Sequence, residues 1–399
     1  MMRSHSRGLK ALQTVDRDER RSLLEGWLSR ELRLQPARIE PASSDASFRR
    51  YFRVFCANGT YIVMDAPPGK EDVRPFLHVT RLLEPLGVHV PRVHEIDIER
   101  GLLLLEDLGS MQYLACLAAG GDAQRLYDDA LRVLARIQAR GAEAAGELAP
   151  YDDGRLRREM ALMPEWFLAR HLSLELTDGE ERMLQRLFEF LIAEALSQPQ
   201  VLVHRDYHSR NLMVVAHRNP GVLDFQDAVR GPVGYDLASL LKDCYISWPR
   251  GRVADWVTGY RARLESEGGN AGADLRQFMR WFDLIGVQRH LKVLGIFARL
   301  WYRDGKMGYL RDLPLTLEYV REACTWYPEL SELAEFLERR VVPELPLANE
   351  RARQVAAGEA GEADGQRAPE PSAERICPPS HDRLTITSRM PAAASASRW

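Results

Sequence analysis

The stretch from Val201 to Gln226, VLVHRDYHSRNLMVVAHRNPGVLDFQ, constrains the fold of this chain more than any other part of the sequence. A short apolar run leads into a charged loop, and a second apolar run soon afterwards leads to an aspartate. Short apolar runs bounded by turn residues are typical of buried β-strands. We therefore expect two strands that bring a set of polar side chains to one place: His204, Arg205, Asp206, Asn211 and Asp224.

The spacing within this set fits the catalytic loop of kinases, in which His-Arg-Asp is followed, after four residues, by Asn. Asp206 takes the position of the residue that orients the attacking hydroxyl and accepts its proton. Asn211 takes the position of a metal ligand, and Asp224 stands where kinases carry the Mg²⁺-binding Asp of Asp-Phe-Gly. A polar hairpin tip is the simpler alternative, but it does not account for the combined spacing. His204 is expected to tie the loop to the backbone near Asp224 rather than contact substrate.

The segment after Asp224 indicates which class of kinase this is. Residues Arg230 to Leu241 lead directly into a helix and leave no room for the activation loop of a protein kinase. Together with HRDYHSRN and LDFQD, this segment resembles the aminoglycoside phosphotransferase and choline kinase family of small-molecule kinases. Within that family, the strings DYHSRNLM, LDFQDAVRGPVGYDLASLLKDCYISWP and VMDAPP look like the anomeric sugar kinases. The resemblance covers about Asp16 to Pro346.

The resemblance implies an α+β, bilobal, protein-kinase-like fold with a small β-rich N-lobe and a larger helical C-lobe. We expect an N-terminal helix in residues 1–35, the N-lobe in 36–108, the C-lobe with the catalytic loop in 109–346, and a disordered tail in 347–399. The tail is rich in Ala, Gly, Glu, Ser and Pro and has few large apolar residues, so it offers little surface to bury.

The N-terminal part shows the expected alternation of strands and helices. The sequence Asn58-Gly59 between two β-rich runs indicates a hairpin, and residues Glu71 to Leu86 have the pattern of a helix. A phosphate-covering turn is expected at the small residues that replace a Gly-rich loop, namely Ser44, Asp45, Ala46 and Ser47. The backbone groups of Glu106 and Leu108, in the position of the hinge of the family, are expected to pair with the adenine of ATP.

One kinase feature is missing from this part of the chain. The strand YIVMDAPP carries Met64 and Asp65 where a protein kinase carries its ATP-binding lysine. An arginine of the FRRYFR segment, Lys70, or the metal alone could supply the missing positive charge, and the sequence does not distinguish them. The same gap is the best argument for a nucleotide-binding pseudokinase, whereas the intact Asp206, Asn211 and Asp224 argue for an active enzyme.

The helical part is expected to form the pocket of the sugar acceptor. Residues Phe278 to Tyr302 have the length of a buried helix, and polar residues recur on one stripe of it. N-acetylmuramate carries a lactyl carboxylate, so Lys292 or Arg299 is a candidate for a charge-assisted hydrogen bond, with an internal salt bridge as the alternative. His208 is a further candidate for substrate contact, and the segment Arg155 to His171 is a candidate wall of the pocket.

Composition limits the remaining possibilities. A net charge of −3 gives no sign of nucleic-acid or membrane binding, no apolar run is long enough to span a bilayer, and no obligatory protein partner is evident. Five scattered cysteines without Cys-x-x-Cys spacing suggest a cytoplasmic protein with reduced thiols. The resemblance implies an ATP- and Mg²⁺-dependent kinase that phosphorylates C1 of N-acetylmuramate and N-acetylglucosamine in peptidoglycan recycling. Aminoglycosides or choline are alternative acceptors, but they would require an acidic or aromatic pocket.

Overall fold

The computed structural model describes residues 19–44, 48–272 and 274–364. These residues divide into two units, Met1–Met111 with Met213–Asp227, and Gln112–Leu212 with Ala228–Trp399. The first unit is β-rich and the second is mainly helical. Residues 213–227, which we expected in the helical part, instead belong to the β-rich unit.

The first unit begins with helix α1, residues 19–26, which continues as a π-helical turn at Trp27–Glu31. Its other elements are β1 (Arg38–Ser44), β2 (Arg50–Cys56), β3 (Gly59–Asp65), α2 (Arg74–Leu83) with a 3₁₀ turn at Glu84–Leu86, β4 (Val93–Asp97), β5 (Leu102–Glu106) and β8 (Gly221–Val222). The short strand β7 (Leu212–Met213), which pairs with β8, lies where the chain passes from the second unit back to the first.

An antiparallel sheet of order β1-β2-β3-β5-β4 forms the centre of the first unit. The predicted hairpin is confirmed, because Cys56 pairs with Gly59 across the turn between β2 and β3. Helix α1 covers the sheet with three buried side chains, Leu24, Trp27 and Leu28. These side chains pack against residues that alternate along the strands, as expected for a sheet with one face turned to a core.

The segment Met213–Asp227 belongs to the first unit for a physical reason. The backbone N–H of Val222 donates to the carbonyl of His89 over 2.8 Å. The ring of Phe225, which is fully buried, packs against Phe76 of α2 with 4.8 Å between centroids. A hydrogen bond and an aromatic contact thus attach this segment to the β-rich unit, although it follows the catalytic loop in sequence.

The second unit is mainly helical. Its helices are α3 (Tyr113–Ala118), α4 (Ala123–Arg140), α5 (Ala142–Ala145), α6 (Asp153–Met160), α7 (Asp178–Leu196), α8 (Gly234–Leu241), α9 (Arg250–Ser266), α10 (Leu275–Asp304), α11 (Leu313–Trp326), α12 (Ser331–Phe336) and α13 (Glu344–Asp364). The second unit also contains two π-helical segments, Met163–His171 and Leu337–Val341, and two 3₁₀ segments, Met307–Asp312 and Pro328–Leu330. Its strands β6 (Gln200–Val203) and β9 (Val229–Pro232) form a pair.

Helix α13 differs from the expectation of a disordered tail beginning at residue 347. The helix Glu344–Asp364 extends well beyond that point, and Leu345, Ala348 and Ala352 on one face of it are buried. Alanine-rich sequence favours a helix, and small apolar residues at helical spacing are enough to dock it. Residues 365–399 lie outside the described part of the chain.

The long helix α10 packs closely against the backbone at Leu162, just before the π-helical segment Met163–His171. A Cβ atom added at Gly295 would lie 2.3 Å from the carbonyl carbon of Leu162. Glycine at this position therefore permits a backbone approach that any other residue would prevent.

We expect Gly295→Ala to lower the free energy of unfolding by about 1–3 kcal/mol, the usual cost of forcing a methyl group into a packed interior. Gly259→Ala is the matched control, because a Cβ at this exposed position of α9 meets no atom within 4 Å. That variant should gain about 0.5–1 kcal/mol from reduced chain entropy. Urea unfolding of both proteins is the measurement, and equal effects at the two positions would contradict the packing argument.

Candidate active site

The loop that carries Asp206 is held at its beginning by a carboxylate from α8. Asp236, which is fully buried in the first turn of α8, accepts hydrogen bonds from the backbone N–H groups of His204 (2.6 Å) and Arg205 (2.9 Å). Arg205 has φ +78°, a conformation that is costly for a residue with a side chain. The two hydrogen bonds stabilise this strained start of the loop. Burial raises the pKa of Asp236 to about 7, although both amide donors act in the opposite direction.

A second buried carboxylate holds the middle of the loop. Asp243, two residues after the end of α8, accepts hydrogen bonds from the backbone N–H and the hydroxyl of Ser209. Its other oxygen accepts the backbone N–H of Tyr245 over 3.1 Å. One carboxylate therefore joins the catalytic loop to the segment that follows α8.

Asp206 lies between these two attachments and has a strongly positive surrounding. Its backbone N–H donates to Nδ1 of His204 (3.2 Å), so His204 supports the loop from within. The expected attachment of His204 to the backbone near Asp224 stays a prediction. Burial by itself would raise the pKa of the Asp206 carboxyl, but the nearby charges, first of all Lys292, lower it to about 2. Asp206 is therefore a carboxylate throughout the range in which enzymes usually work.

A buried group of charges and phenols supplies much of this positive surrounding. Glu159 of α6 binds Arg205 (2.5 Å) and Lys292 (3.2 Å), and it accepts a hydrogen bond from Tyr151. Lys292 also donates to the hydroxyl of Tyr235 over 3.0 Å. Burial lowers the pKa of Lys292, but Tyr235 and Glu159 raise it above its usual value, so that the ammonium stays charged. We call these five residues the Glu159 network.

The two predicted metal ligands have the chemistry that Mg²⁺ prefers. The side-chain amide of Asn211 donates its N–H to the backbone carbonyl of Asp206 (3.0 Å), and its amide oxygen is a hard donor of the kind that Mg²⁺ accepts. In the first unit, Asp224 has φ +62° and accepts a hydrogen bond from the side chain of Gln226 (2.7 Å). Hard oxygen donors of this kind fit Mg²⁺, which needs only one or two of them when phosphates complete its shell.

The described residues contain no group of three or more His, Cys, Asp or Glu that could hold a metal ion by itself.

Asp65, in the position where kinases carry lysine, forms a buried structural contact. It is fully buried at the end of β3 and accepts hydrogen bonds from Arg20 and Arg50. A buried carboxylate needs such partners, because an unpaired charge is expensive in the interior. Arg50 is thus occupied in holding α1, β2 and β3 together.

The structure also distinguishes the other basic candidates in the first unit. Arg53 binds Asp107 through two hydrogen bonds, of 2.8 and 3.0 Å. Lys70 lies over the ring of Phe48, 5.7 Å from its centroid. The side chain of Arg49 is only 11% exposed, and its guanidinium lies 3.8 Å from a carboxylate oxygen of Asp224. Arg49 is therefore the candidate that lies beside a predicted metal ligand.

The predicted hinge shows a clear difference between its two residues. The N–H of Glu106, at the end of β5, donates to the carbonyl of Arg92 (2.8 Å), so this N–H is already engaged within the first unit. Leu108 has no backbone hydrogen bond among the described residues. Of the expected phosphate-covering turn, Ser44 ends β1, whereas Asp45, Ala46 and Ser47 lie outside the described residues.

The three predicted substrate contacts lie in different surroundings. His208 is partly buried, and its Nδ1 has no partner among the described residues; burial lowers its pKa, so the ring is neutral near pH 7. Lys292 belongs to the Glu159 network, which is the internal salt bridge that the sequence left open. Arg299 is partly buried, burial lowers its pKa, and its Nε has no partner within the described part of the chain.

Sequence reasoning missed the residues that support the loop. Asp236 and Asp243 lie in a string that was noted only for its resemblance, and Glu159 was counted merely as part of a helical segment. An Asp within an otherwise apolar helix, as in GYDLASLL, was the available signal, because a buried carboxylate must have donors nearby. Nothing in the sequence pointed from Glu159 to Lys292.

Comparison with known proteins places this chain among phosphotransferases. The profile of the phosphotransferase enzyme family matches residues 38–282. The N-acetylmuramate/N-acetylglucosamine kinase of Pseudomonas putida is 49% identical over 299 residues, which cover 75% of this chain and 87% of that protein. The kinase of the same name from Pseudomonas aeruginosa is 48% identical, over 78% of this chain and 90% of that protein.

Solved structures resemble this chain in fold. The choline kinase from Streptococcus pneumoniae has a TM-score of 0.50 and 14% identity, covering 76% of this chain and 99% of that one. The predicted α+β, protein-kinase-like fold is thereby confirmed. No helix among the described residues is both long and apolar enough to cross a membrane.

We expect Lys292→Met to raise the pKa of Asp206, because it removes the charge that contributes most to lowering it. Carboxyl ¹³C NMR, with Asp206→Asn to assign the signal, measures this pKa. In the wild type the carboxyl should stay ionised as pH falls from 8 to 4, and the stabilisation that it contributes should be lost only as pH approaches 2.

In the variant the titration midpoint should move upward. Arg182→Met, which changes an exposed residue of α7, is the control and should leave the midpoint unchanged. An unchanged midpoint in Lys292→Met would show that the Glu159 network does not set the charge state of Asp206.

Proposed function

The chain belongs to the phosphotransferase enzyme family, and from this premise we propose that it is an ATP-dependent kinase acting on the anomeric C1 hydroxyl of N-acetylmuramate and N-acetylglucosamine. The relatives that carry this activity in their names match about three quarters of the chain at nearly half identity. The observation that carries the proposal is Asp206, a carboxylate kept ionised by its neighbours, on a loop with kinase spacing.

The charges around Asp206 favour a neutral or anionic acceptor. The carboxyl is surrounded by Lys292, Arg289 and Arg205, whereas Glu159 and Asp243 are already engaged by internal partners. A cationic aminoglycoside or choline would need acidic or aromatic groups that are available to it. An N-acetylated sugar, with or without a carboxylate, has no such requirement.

In the proposed reaction Asp206 accepts the proton of the anomeric hydroxyl. The hydroxyl oxygen forms a bond to the γ-phosphorus, the bond from that phosphorus to the bridging oxygen breaks, and ADP leaves with the electron pair. An anomeric hydroxyl is more acidic than other sugar hydroxyls, so a weakly basic carboxylate suffices. The product is the 1-phosphate, and the family resemblance implies the α-anomer.

Asn211 and Asp224 are the residues that would hold Mg²⁺. Bound there, the ion would neutralise the β- and γ-phosphate oxygens. Arg49 would add positive charge beside Asp224, in place of the lysine that β3 lacks. At the hinge, adenine presents one donor and one acceptor, which match the carbonyl of Glu106 and the N–H of Leu108. The expectation that the enzyme works in the cytoplasm stays a prediction.

The direct test is ATP consumption with Mg²⁺ against N-acetylmuramate, N-acetylglucosamine, glucose, choline and kanamycin. We expect turnover of the two N-acetylated sugars, with a 1-phosphate identified by ³¹P NMR. Turnover of choline or kanamycin alone would reject the sugar kinase but keep the phosphotransferase. ATP binding without turnover of any acceptor would favour a pseudokinase.

Separate substitutions should distinguish effects on the chemical step from effects on nucleotide binding. Asp206→Asn removes the base and should lower kcat about 10²- to 10⁴-fold, with an unchanged Kd for a non-hydrolysable ATP analogue in calorimetry. Arg49→Met should instead weaken binding of that analogue, because it removes charge beside the phosphates. Asp255→Asn, at an exposed position of α9, is the control for both. Full turnover by Asp206→Asn would reject the mechanism.

A further inference from the structure

Arg210 lies in the catalytic loop between the proposed base and the proposed metal ligand, and it has an unusual set of neighbours. Its guanidinium lies 4.5 Å from the ring centroid of Tyr245 and 5.8 Å from that of Tyr309. Phe297 of α10 contacts both of these rings, with centroids 6.2 and 5.3 Å apart. We call Arg210, Tyr245, Phe297 and Tyr309 the Arg210 cluster.

The charge of Arg210 is not neutralised inside the protein. An arginine side chain stays protonated at any pH at which enzymes work, so the guanidinium is charged. Among the described residues it forms no ion pair with a carboxylate, and Asp312 is paired with Arg311. The guanidinium of this half-buried arginine donates a hydrogen bond to Tyr245. The remaining N–H donors of its planar group can bind an anion.

The cluster is fixed in position before any ligand binds. Asp243 binds Ser209, the residue before Arg210, and also the backbone of Tyr245. The arginine and the ring beneath it are therefore attached to one buried carboxylate. Groups held in this way bind a ligand without paying further ordering entropy.

The cluster also lies close to the reacting group in the same unit. His208, two residues after Asp206 and two before Arg210, has its ring 5.7 Å from the ring of Tyr245. Its buried Nδ1 has no partner among the described residues, so a polar ligand group is its available partner. An acceptor whose hydroxyl meets Asp206 therefore extends toward His208 and the aromatic rings.

We infer that the Arg210 cluster is the subsite for the carboxylate of the acceptor, with Arg210 binding the lactyl carboxylate of N-acetylmuramate and the aromatic rings contacting the sugar. The inference rests on the proposed function and deepens it. A guanidinium binds a carboxylate in a planar, two-pronged arrangement, which a neutral sugar cannot use. Arg210 is thus a specificity-determining residue, and N-acetylglucosamine is bound without it.

The other two basic candidates fit this role less well. Lys292 already binds Glu159 and Tyr235, so a carboxylate ligand would compete with an internal salt bridge. Arg299 lies seven residues beyond Lys292 on α10. It is therefore about two helical turns away from the lysine whose charge lowers the pKa of Asp206. Its pKa is lowered by burial and by Arg303, which indicates a surrounding that disfavours the charge.

The experiment compares kcat and KM for N-acetylmuramate, its methyl ester and N-acetylglucosamine in the wild type and in Arg210→Met. For the variant we expect KM of N-acetylmuramate to rise about 10- to 100-fold, the size of one lost charge-assisted pair. KM of the ester and of N-acetylglucosamine should stay unchanged, and kcat should change little for all three. Arg210→Lys should restore part of the affinity.

Calorimetry of sugar binding, in the presence of a non-hydrolysable ATP analogue, checks the same contrast without turnover. Arg252→Met is the matched control, because Arg252 also rests on two aromatic rings, those of Trp248 and Trp256, in another part of the unit. Arg252→Met should not change the affinity for any one of the sugars selectively.

The possible failures can be told apart. A wild type that phosphorylates neither sugar overturns the proposed function and this inference with it. A wild type that phosphorylates both sugars, with Arg210→Met affecting them equally or not at all, overturns the inference alone. A selective loss of affinity for N-acetylmuramate in Arg299→Met, with no such loss in Arg210→Met, also overturns the inference. It would show that a residue of α10 binds the carboxylate.

Discussion

The attachment of one loop by two buried carboxylates is the constraint on which the rest of this site depends. Asp236 binds the backbone at the start of the loop, where Arg205 has a left-handed conformation, and Asp243 binds its middle at Ser209. Hydrogen bonds from backbone amides to a buried carboxylate are strong, and they leave no alternative arrangement of equal energy. The position of Asp206 therefore follows from α8 and the segment after it rather than from the loop alone.

The same attachments determine how charge is distributed around Asp206. Because Asp236 holds the backbone of Arg205, the guanidinium of Arg205 lies beside Glu159. Tyr235 and Glu159 in turn keep the buried Lys292 charged. A buried ammonium group stays charged without a large energetic cost only when such partners are present. The resulting positive surrounding maintains Asp206 as a carboxylate and disfavours cationic acceptors. Support of the loop and choice of acceptor thus have a common physical origin.

Much of this architecture could be predicted from local signals. The hairpin at Asn58-Gly59 and the long helix around Lys292 each depend on residues close in sequence, and both elements were predicted where they occur. The kinase spacing at Asp206 and Asn211 is local as well, and the roles drawn from it stay predictions. The helix from Glu344 was missed, because composition suggested a tail, whereas three small apolar residues at helical spacing were sufficient to dock it. The placement of Asp224 with the β-rich unit could not be predicted either, because it depends on contacts with Phe76 and His89.

By itself, the sequence determined the class of chemistry and the fold, because the spacing of the loop around Asp206 and the order of the strands are local properties of the chain. Only the tertiary structure decided which charged side chains are available. Arg50 and Lys292 are occupied by internal carboxylates, whereas Arg49 lies beside Asp224 and Arg210 rests on aromatic rings. Pairing between charges far apart in sequence depends on which helices and strands pack together, and no local pattern contains that information.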